Sequence, residues 1–134
     1  MPDRYLITLG TSVASNTGGP YTAVWDRAVA PAAGTIRGAW AVAESLTSNA
    51  RTNSVDIYLQ NDAPSAGSNT GSTILVAPIT LINDSDAVEG TIRAANDRVA
   101  AGQQLQLRTY ADNIGAQPAF IALKATVIIE GDLS

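Results

Sequence analysis

Two segments of this chain alternate apolar and polar residues at every second position: SVDIYLQ at residues 54–60 and QLQLRTY at residues 104–110. Successive side chains of a β-strand point to opposite faces, so each segment is predicted to be a strand with one face in the core. The inner positions predicted for the two strands are Val55, Ile57, Leu59, Leu105, Leu107 and Thr109.

The same period of two extends to two longer segments. AFIALKATVIIEG at residues 119–131 predicts an inner row of Ile121, Leu123, Ala125, Val127 and Ile129. GTIRGAWAVA at residues 34–43 predicts Ile36, Gly38, Trp40 and Val42 on one face. Shorter strands are predicted at Tyr5–Leu9, Tyr21–Arg27, Thr73–Val76, Ile79–Ile82 and Glu89–Arg93.

Turn residues separate these segments. Asn-Asp pairs follow several of them, and an Ala-Ala-Gly triplet precedes the segments at 34–43 and 104–110. We expect Gly34 and Gly102, which end these triplets, to adopt a positive φ. The pattern predicts an all-β protein: a two-sheet β-sandwich or jelly roll of about eight strands with little helix. Residues 21–134 would form this domain, and residues 1–20 a strand and loop that could serve as an attachment arm.

One region is open to a second interpretation. From Asp86 to Val99, the residues Val88, Ile92 and Ala95 also fit a helical stripe. Gly90 in its middle and Asn96-Asp97 near its end favour a strand at Glu89–Arg93 followed by a loop. A single helical turn near Ala95–Val99 is compatible with that prediction.

The composition limits the classes of function. The chain has 134 residues, enough for one domain, and only 15% are charged against about 25% in typical domains. Such a surface favours contacts with neighbouring molecules. The net charge is −4 and the eight basic residues are scattered, so no nucleic-acid-binding face is predicted. The sequence contains no apolar stretch long enough to span a membrane and no secretory signal, so we expect synthesis in the cytoplasm.

The sequence lacks the residue types on which most catalysis depends. It has no histidine and no cysteine, which removes the commonest general base, the thiolate nucleophile and the usual zinc ligands. We therefore predict no enzyme activity, no catalytic residue, no metal and no cofactor. The acidic stretch NDSDAVE at residues 83–89 could hold calcium, although a solvated turn is the simpler interpretation.

Four apolar or aromatic residues fall on the polar side of their strands. An aromatic residue on the outer face is a candidate contact residue, because Tyr and Phe are enriched at interfaces. A loop or the N-terminal segment covering that face would explain them equally well. The candidates for interface residues are Tyr58, Tyr110, Phe120 and Ile128, whereas Trp25 and Trp40 are predicted to lie in the core.

Four segments together resemble the jelly-roll virion proteins of tailed bacteriophages. They are APAAGTIRGAWAVAE, NSVDIYLQND, RVAAGQQLQLRTY and AFIALKATVIIEG, within residues 28–132. The shared features are a Pro-x-x-Gly-Thr-Ile strand start, a Val-Asp-Ile-like strand, an Ala-Gly-x-x-Leu start and an apolar closing strand.

The resemblance implies a structural role on the virion. Because no coiled-coil or collagen-like shaft precedes the domain, decoration (cement) of the head is favoured over a long fibre. The implied protein is a homotrimer on the capsid exterior that binds the major capsid protein and stabilises the head. The alternative is a receptor- or glycan-binding domain of a tail fibre or baseplate. A cellular trimeric jelly-roll ligand is a more distant alternative.

Overall fold

A computed structural model describes residues 3–15, 24–46, 53–60, 71–81, 86–111 and 118–132. These residues form ten β-strands and one short 3-10 helix, Ala94–Asn96. The strands are β1 (Arg4–Ser15), β2 (Val24–Val29), β3 (Gly34–Leu46), β4 (Asn53–Gln60), β5 (Gly71–Thr73), β6 (Ile79–Thr80), β7 (Val88–Gly90), β8 (Arg98–Val99), β9 (Gln104–Ala111) and β10 (Pro118–Gly131).

The strands form two antiparallel sheets of five strands each. Sheet A has the order β1-β10-β3-β7, with β8 also paired to β3. Sheet B has the order β2-β9-β4-β5, with β6 also paired to β4. The first strand lies beside the last and the second beside the next to last, in opposite sheets. This nested order is that of a jelly roll, so the predicted all-β, two-sheet sandwich is confirmed.

The core lies between the two sheets and follows the predicted alternation. Leu105 and Leu107 of β9 lie opposite Leu59 and Ile57 of β4, and all four are buried. Sheet A contributes the predicted row from β10, of which Leu123, Ala125, Val127 and Ile129 are fully buried. Trp25 packs against this core, and its Nε1–H donates a hydrogen bond of 2.7 Å to Thr109 Oγ1.

A β-bulge in β3 overturns the predicted faces of that strand. Ile36 lies opposite Ile129, but Gly38 lies opposite Ile128, so Arg37 is one residue more than its partner strand provides. An inserted residue inverts the alternation of every position after it. Ile36 is buried as predicted, whereas the predicted core residue Trp40 is exposed and Ala39 is buried in its place.

The two Ala-Ala-Gly turns use their glycines for different reasons. Gly102 has a φ of 83°, as predicted, and occupies the third position of a turn closed by Gln103 N–H to Ala100 O. That geometry is a type II turn. The prediction for Gly34 is wrong, since Gly102 is the only described glycine with a positive φ. A Cβ at residue 34 would lie 2.5 Å from Glu130 O, so close strand approach requires the glycine.

The ambiguous region after Asp86 is a strand and not a long helix. β7 covers Val88–Gly90, slightly earlier than predicted, and Ile92 forms an isolated bridge to Leu75. The 3-10 helix Ala94–Asn96 then corresponds to the helical turn expected near Ala95. β7 pairs with β3, and Gly90 fits this position because a Cβ there would meet Ile79 Cγ1 at 2.8 Å.

Candidate functional site

The outer face of sheet A carries large apolar side chains that solvent reaches. Leu6 of β1 is 64% exposed and Trp40 of β3 is 39% exposed. Ile128 lies between their strands, directly opposite Leu6, and is half-buried, as is Val42 two residues after Trp40. We call Leu6, Ile128, Trp40 and Val42 the outer stripe.

The bulge creates this outer stripe by turning Trp40 and Val42 away from the core. Gly38 lies next to Ile128 on the same face, where a Cβ would come within 3.5 Å of Ile128 Cδ1. Within the outer stripe, Leu6 and Ile128 lie directly opposite each other. Trp40 lies opposite Thr126 of β10 and Glu89 of β7, and Val42 lies opposite Lys124. Opposite side chains on neighbouring strands are about 5 Å apart, so the outer stripe crosses three strands with Thr126, Lys124 and Glu89 beside its β3 residues.

Charged residues border the outer stripe at one end. The Glu130 carboxylate lies between two arginines, with Arg4 Nη2 at 3.5 Å from Oε2 and Arg37 Nη2 at 3.3 Å from Oε1. Exposed ion pairs of this kind contribute at most about 1 kcal/mol to stability. They do give the face a polar rim around an apolar centre, which is the usual anatomy of a protein–protein interface.

A third ion pair closes the same end of sheet A. Nη1 and Nη2 of Arg98 donate to the Asp132 carboxylate, at 2.8 and 2.6 Å, and Arg98 Nη1 also donates to Thr35 Oγ1 at 2.7 Å. The hydrogen bonds from Arg98 lower the pKa of Asp132 below its ordinary value of 3.8. Ala33 O accepts the Asp132 N–H at 3.0 Å, so these contacts join the end of β10 to the start of β3.

The outer face of sheet B is polar but largely buried. Arg108 lies over the Tyr58 ring, 4.1 Å from its centroid, and its Nη2 donates a hydrogen bond of 2.6 Å to Gln106 Oε1. Gln106 in turn donates to Gln104 Oε1 at 2.9 Å. Gln106 is 0% exposed and Arg108 is 8% exposed, so this network of side chains is nearly closed to solvent.

Asp56 belongs to the same buried face and is held within the sheet. Its Oδ1 accepts hydrogen bonds from the Thr73 hydroxyl and, at 2.8 Å, from Ile57 N–H. Burial raises the pKa of Asp56 above 3.8 despite these hydrogen bonds and the nearby Arg108. Burial also raises the pKa of Tyr58, with a further contribution from the Asp56 charge.

Gln60, at the end of β4, is the exception within this polar face. Its side chain is 0% exposed, as is that of Gln106. Gln106 is hydrogen-bonded at both ends of its amide, whereas among the described residues neither Nε2 nor Oε1 of Gln60 has a partner. A buried amide without partners costs about 1–3 kcal/mol.

The structure separates the four candidate interface residues between the two sheets. Ile128 lies in the outer stripe of sheet A, and Tyr58 lies half-buried under Arg108 on sheet B. The side chains of Tyr110 and Phe120 lie outside the part of the chain that the structure describes. The sequence pattern missed Leu6 and Trp40. Gly38 was the available signal, because a glycine inside a strand often marks a bulge.

Two clefts in the described surface offer few ionisable groups to a substrate. One cleft, lined by Gly10–Ser12 and Ala122–Lys124, contains no acid, and a second, between β6 and β7, contains Glu89. Neither holds the two carboxylates that hydrolysis of a glycosidic bond requires. Within the described ranges, no three His, Cys, Asp or Glu residues could together hold a metal ion. Residues 83–85 of the acidic stretch lie outside those ranges.

No helix in the described ranges is long and apolar enough to cross a membrane.

Comparison with known proteins identifies the fold only. No protein-family model matches the sequence, and no curated protein matches it significantly. A chain in the solved structure of the capsid of Ralstonia phage GP4 is similar in backbone, with a TM-score of 0.62. The superposition covers 98% of this chain and 86% of that chain, at 13% sequence identity. At this identity the similarity shows that the two chains share a β-sandwich fold.

Proposed function

We propose that this chain is a structural protein of a tailed-phage virion that decorates the outside of the head. It binds the major capsid protein through the outer stripe of sheet A and stabilises the shell. The shared fold with a chain of the GP4 capsid supports the virion class. The observation that carries the proposal is the outer stripe itself, in which Leu6 and Trp40 are exposed and Ile128 and Val42 are half-buried.

The mechanism is burial of apolar surface. Burying a fully exposed apolar side chain contributes roughly 1.5–3 kcal/mol, and covering Leu6 (64% exposed) or Trp40 (39% exposed) would contribute the corresponding part of that. Each copy contributes a modest amount, and the symmetry of a capsid repeats it over many copies. The protein acts without a cofactor and without catalysis, and it binds neither nucleic acid nor membrane. After synthesis in the host cytoplasm it joins the capsid exterior.

Three further features belong to this proposal. The resemblance to phage jelly-roll proteins supports a homotrimer. Tyr58, which lies on sheet B, Tyr110 and Phe120 are proposed as contacts between subunits, separate from the outer stripe that contains Ile128. The division of the chain into residues 1–20 and 21–134 is also part of the proposal: residues 1–20, whose strand β1 is the edge of sheet A, would contribute to attachment.

The tail-fibre alternative receives less support from the described geometry. Binding of sugars by a fibre or baseplate domain would use an aromatic ring as a platform. Tyr58 is half-buried on sheet B, and the Arg108 guanidinium covers one face of its ring. Trp40 is exposed, but it lies on a flat sheet face and not among the polar loops that would recognise hydroxyl groups.

The test is to add purified protein back to phage heads that lack it and to measure the amount bound and the temperature at which the heads release DNA. Trp40→Asp and Leu6→Asp should each weaken binding at least about tenfold, which corresponds to the loss of one buried apolar side chain. Val29→Asp is the matched control, because Val29 is 58% exposed but belongs to β2 of sheet B. Equal binding by all three variants would refute the role of the outer stripe.

A further inference from the structure

The backbone groups of β1 alternate between the two sides of the strand. Asp3 O accepts a hydrogen bond of 2.7 Å from Gly131 N–H, so the backbone N–H and C=O groups of the odd-numbered residues point towards β10. On the other side, Gly10 N–H donates to Asp26 Oδ2 at 2.8 Å. The ladder between β1 and β10 is regular from residue 4 to Ala14. In an antiparallel ladder, Arg4, Leu6 and Thr8 therefore direct their N–H and C=O groups away from β10.

Among the described residues, no strand pairs with the outward side of β1 along Arg4–Thr8. In the described part of the chain, β1 pairs with β10 and with no other strand, and the side chains of Arg4, Leu6 and Thr8 are exposed. Asp26 closes the edge at Gly10 by occupying its N–H. An open edge of this kind pairs readily with another strand, and proteins usually protect it with proline, inward-pointing charge or a covering loop.

The open segment is complementary to a second copy of itself in one register. When Leu6 faces Leu6 of a second copy in an antiparallel pair, Arg4 faces Thr8 and Thr8 faces Arg4. The outward-pointing N–H and C=O groups of all three residues then have backbone hydrogen-bond partners, because each opposed pair of residues exchanges two hydrogen bonds. If the two-fold axis relating the two copies passed through Arg4 instead of Leu6, two arginines would lie directly opposite each other, which is unfavourable. An axis nearer Thr8 would require the N–H of Gly10, which already donates to Asp26.

We propose that two copies of this chain join through the Arg4–Thr8 edges of their β1 strands, with Leu6 on the two-fold axis. The pairing makes one continuous sheet of the two copies of sheet A and brings their outer stripes side by side. The buried segment is short, so the contact is weak in dilute solution and forms where copies are concentrated. This inference goes beyond the proposed function and does not depend on it, since neither a capsid nor a trimer enters the argument.

Disulfide trapping tests the register, because the chain contains no cysteine. In the proposed pair the two Leu6 Cα atoms lie about 5.5 Å apart, within the range for a disulfide. The two Thr8 Cα atoms lie about 14 Å apart, since each is displaced by four residues at about 3.4 Å per residue. Leu6→Cys should therefore give at least tenfold more covalent dimer than Thr8→Cys after mild oxidation of the full chain at high concentration.

A third variant separates strand pairing from random collision. Adding Thr8→Pro to Leu6→Cys removes an N–H that points away from β10, so the ladder with β10 is kept while the edge is blocked. This double variant should unfold at a similar temperature to Leu6→Cys and lose most of the covalent dimer. The proposal is overturned if Leu6→Cys gives no dimer, if Thr8→Cys gives as much, or if a folded double variant cross-links undiminished.

Discussion

Sheet A and sheet B bury equivalent rows of aliphatic side chains, but their outer faces differ. On sheet A the outer face exposes Leu6 and Trp40. On sheet B the outer face buries Asp56, Gln106 and Arg108. The polarity of a strand position therefore does not determine its exposure in this protein. Sheet A has the surface suited to a partner, and sheet B completes its own polar contacts within the chain.

The largest stability difference between the two faces should appear when an arginine is truncated on each. Arg108→Ala uncovers the Tyr58 ring and removes the donor to Gln106 Oε1, and we expect a loss of about 2–3 kcal/mol. Arg37→Ala removes one exposed ion pair with Glu130 and should cost about 0.5 kcal/mol or less. Urea unfolding at neutral pH measures both, and equal losses would contradict the account of sheet B.

A pair of glutamines within sheet B sharpens the comparison. Gln106 and Gln60 are equally buried, but only the Gln106 side chain has hydrogen-bond partners among the described residues. Gln106→Leu should lower the free energy of unfolding by about 1–2 kcal/mol, because it removes the acceptor of the hydrogen bond from Arg108 Nη2. Gln60→Leu should raise it by about 1 kcal/mol, since it removes a buried amide that has no partner among the described residues. A loss of stability in both variants would show that Gln60 has partners.

The smallest expected effects are those of pH, and they have opposite signs on the two sheets. The raised pKa of Asp56 means that the native state binds more protons than the unfolded state just above pH 3.8, so stability falls as pH rises through that window. The lowered pKa of Asp132 means the reverse: its contribution is present above pH 3.8 and is lost as pH falls through its folded pKa.

Two asparagine variants test these signs by thermal unfolding between pH 3 and pH 7. Relative to the parent chain, Asp56→Asn should gain stability as pH rises from about 4 to 7. Asp132→Asn should lose stability relative to the parent chain as pH rises from 3 to about 4, and should change little above that. If the stability differences between the two variants and the parent chain change in the same direction with pH, the direction of the pKa shift given for one of the two carboxylates is incorrect.

The sequence was sufficient to predict the core rows and the layering of the fold. Leu105 and Leu107 alternate with polar residues, and period two with turn residues between strands leaves few alternatives to a sandwich. The bulge at Arg37 was not predicted, because the apolar residues of β3 still fall at every second position and the sequence looks like that of a regular strand. Its consequence is large, since Trp40 moves from the predicted core to the surface.

The burial of the polar residues on the outer face of sheet B could not be predicted from the sequence, for a different reason. Arg108 and Tyr58 lie on different strands, and their contact exists only once β9 pairs with β4. Gly34 makes the same point, because its role depends on how closely β3 approaches Glu130. Contacts between distant segments decided both features, and local pattern carries no information on them.

The most direct test of the central claim is a reconstruction of the virion at a resolution that separates β-strands. We predict symmetric density for this chain on the outside of the head, with sheet A towards the major capsid protein and Leu6 and Trp40 in the contact. Density confined to the tail, or a chain bound to the head through sheet B with the outer stripe facing solvent, would contradict it.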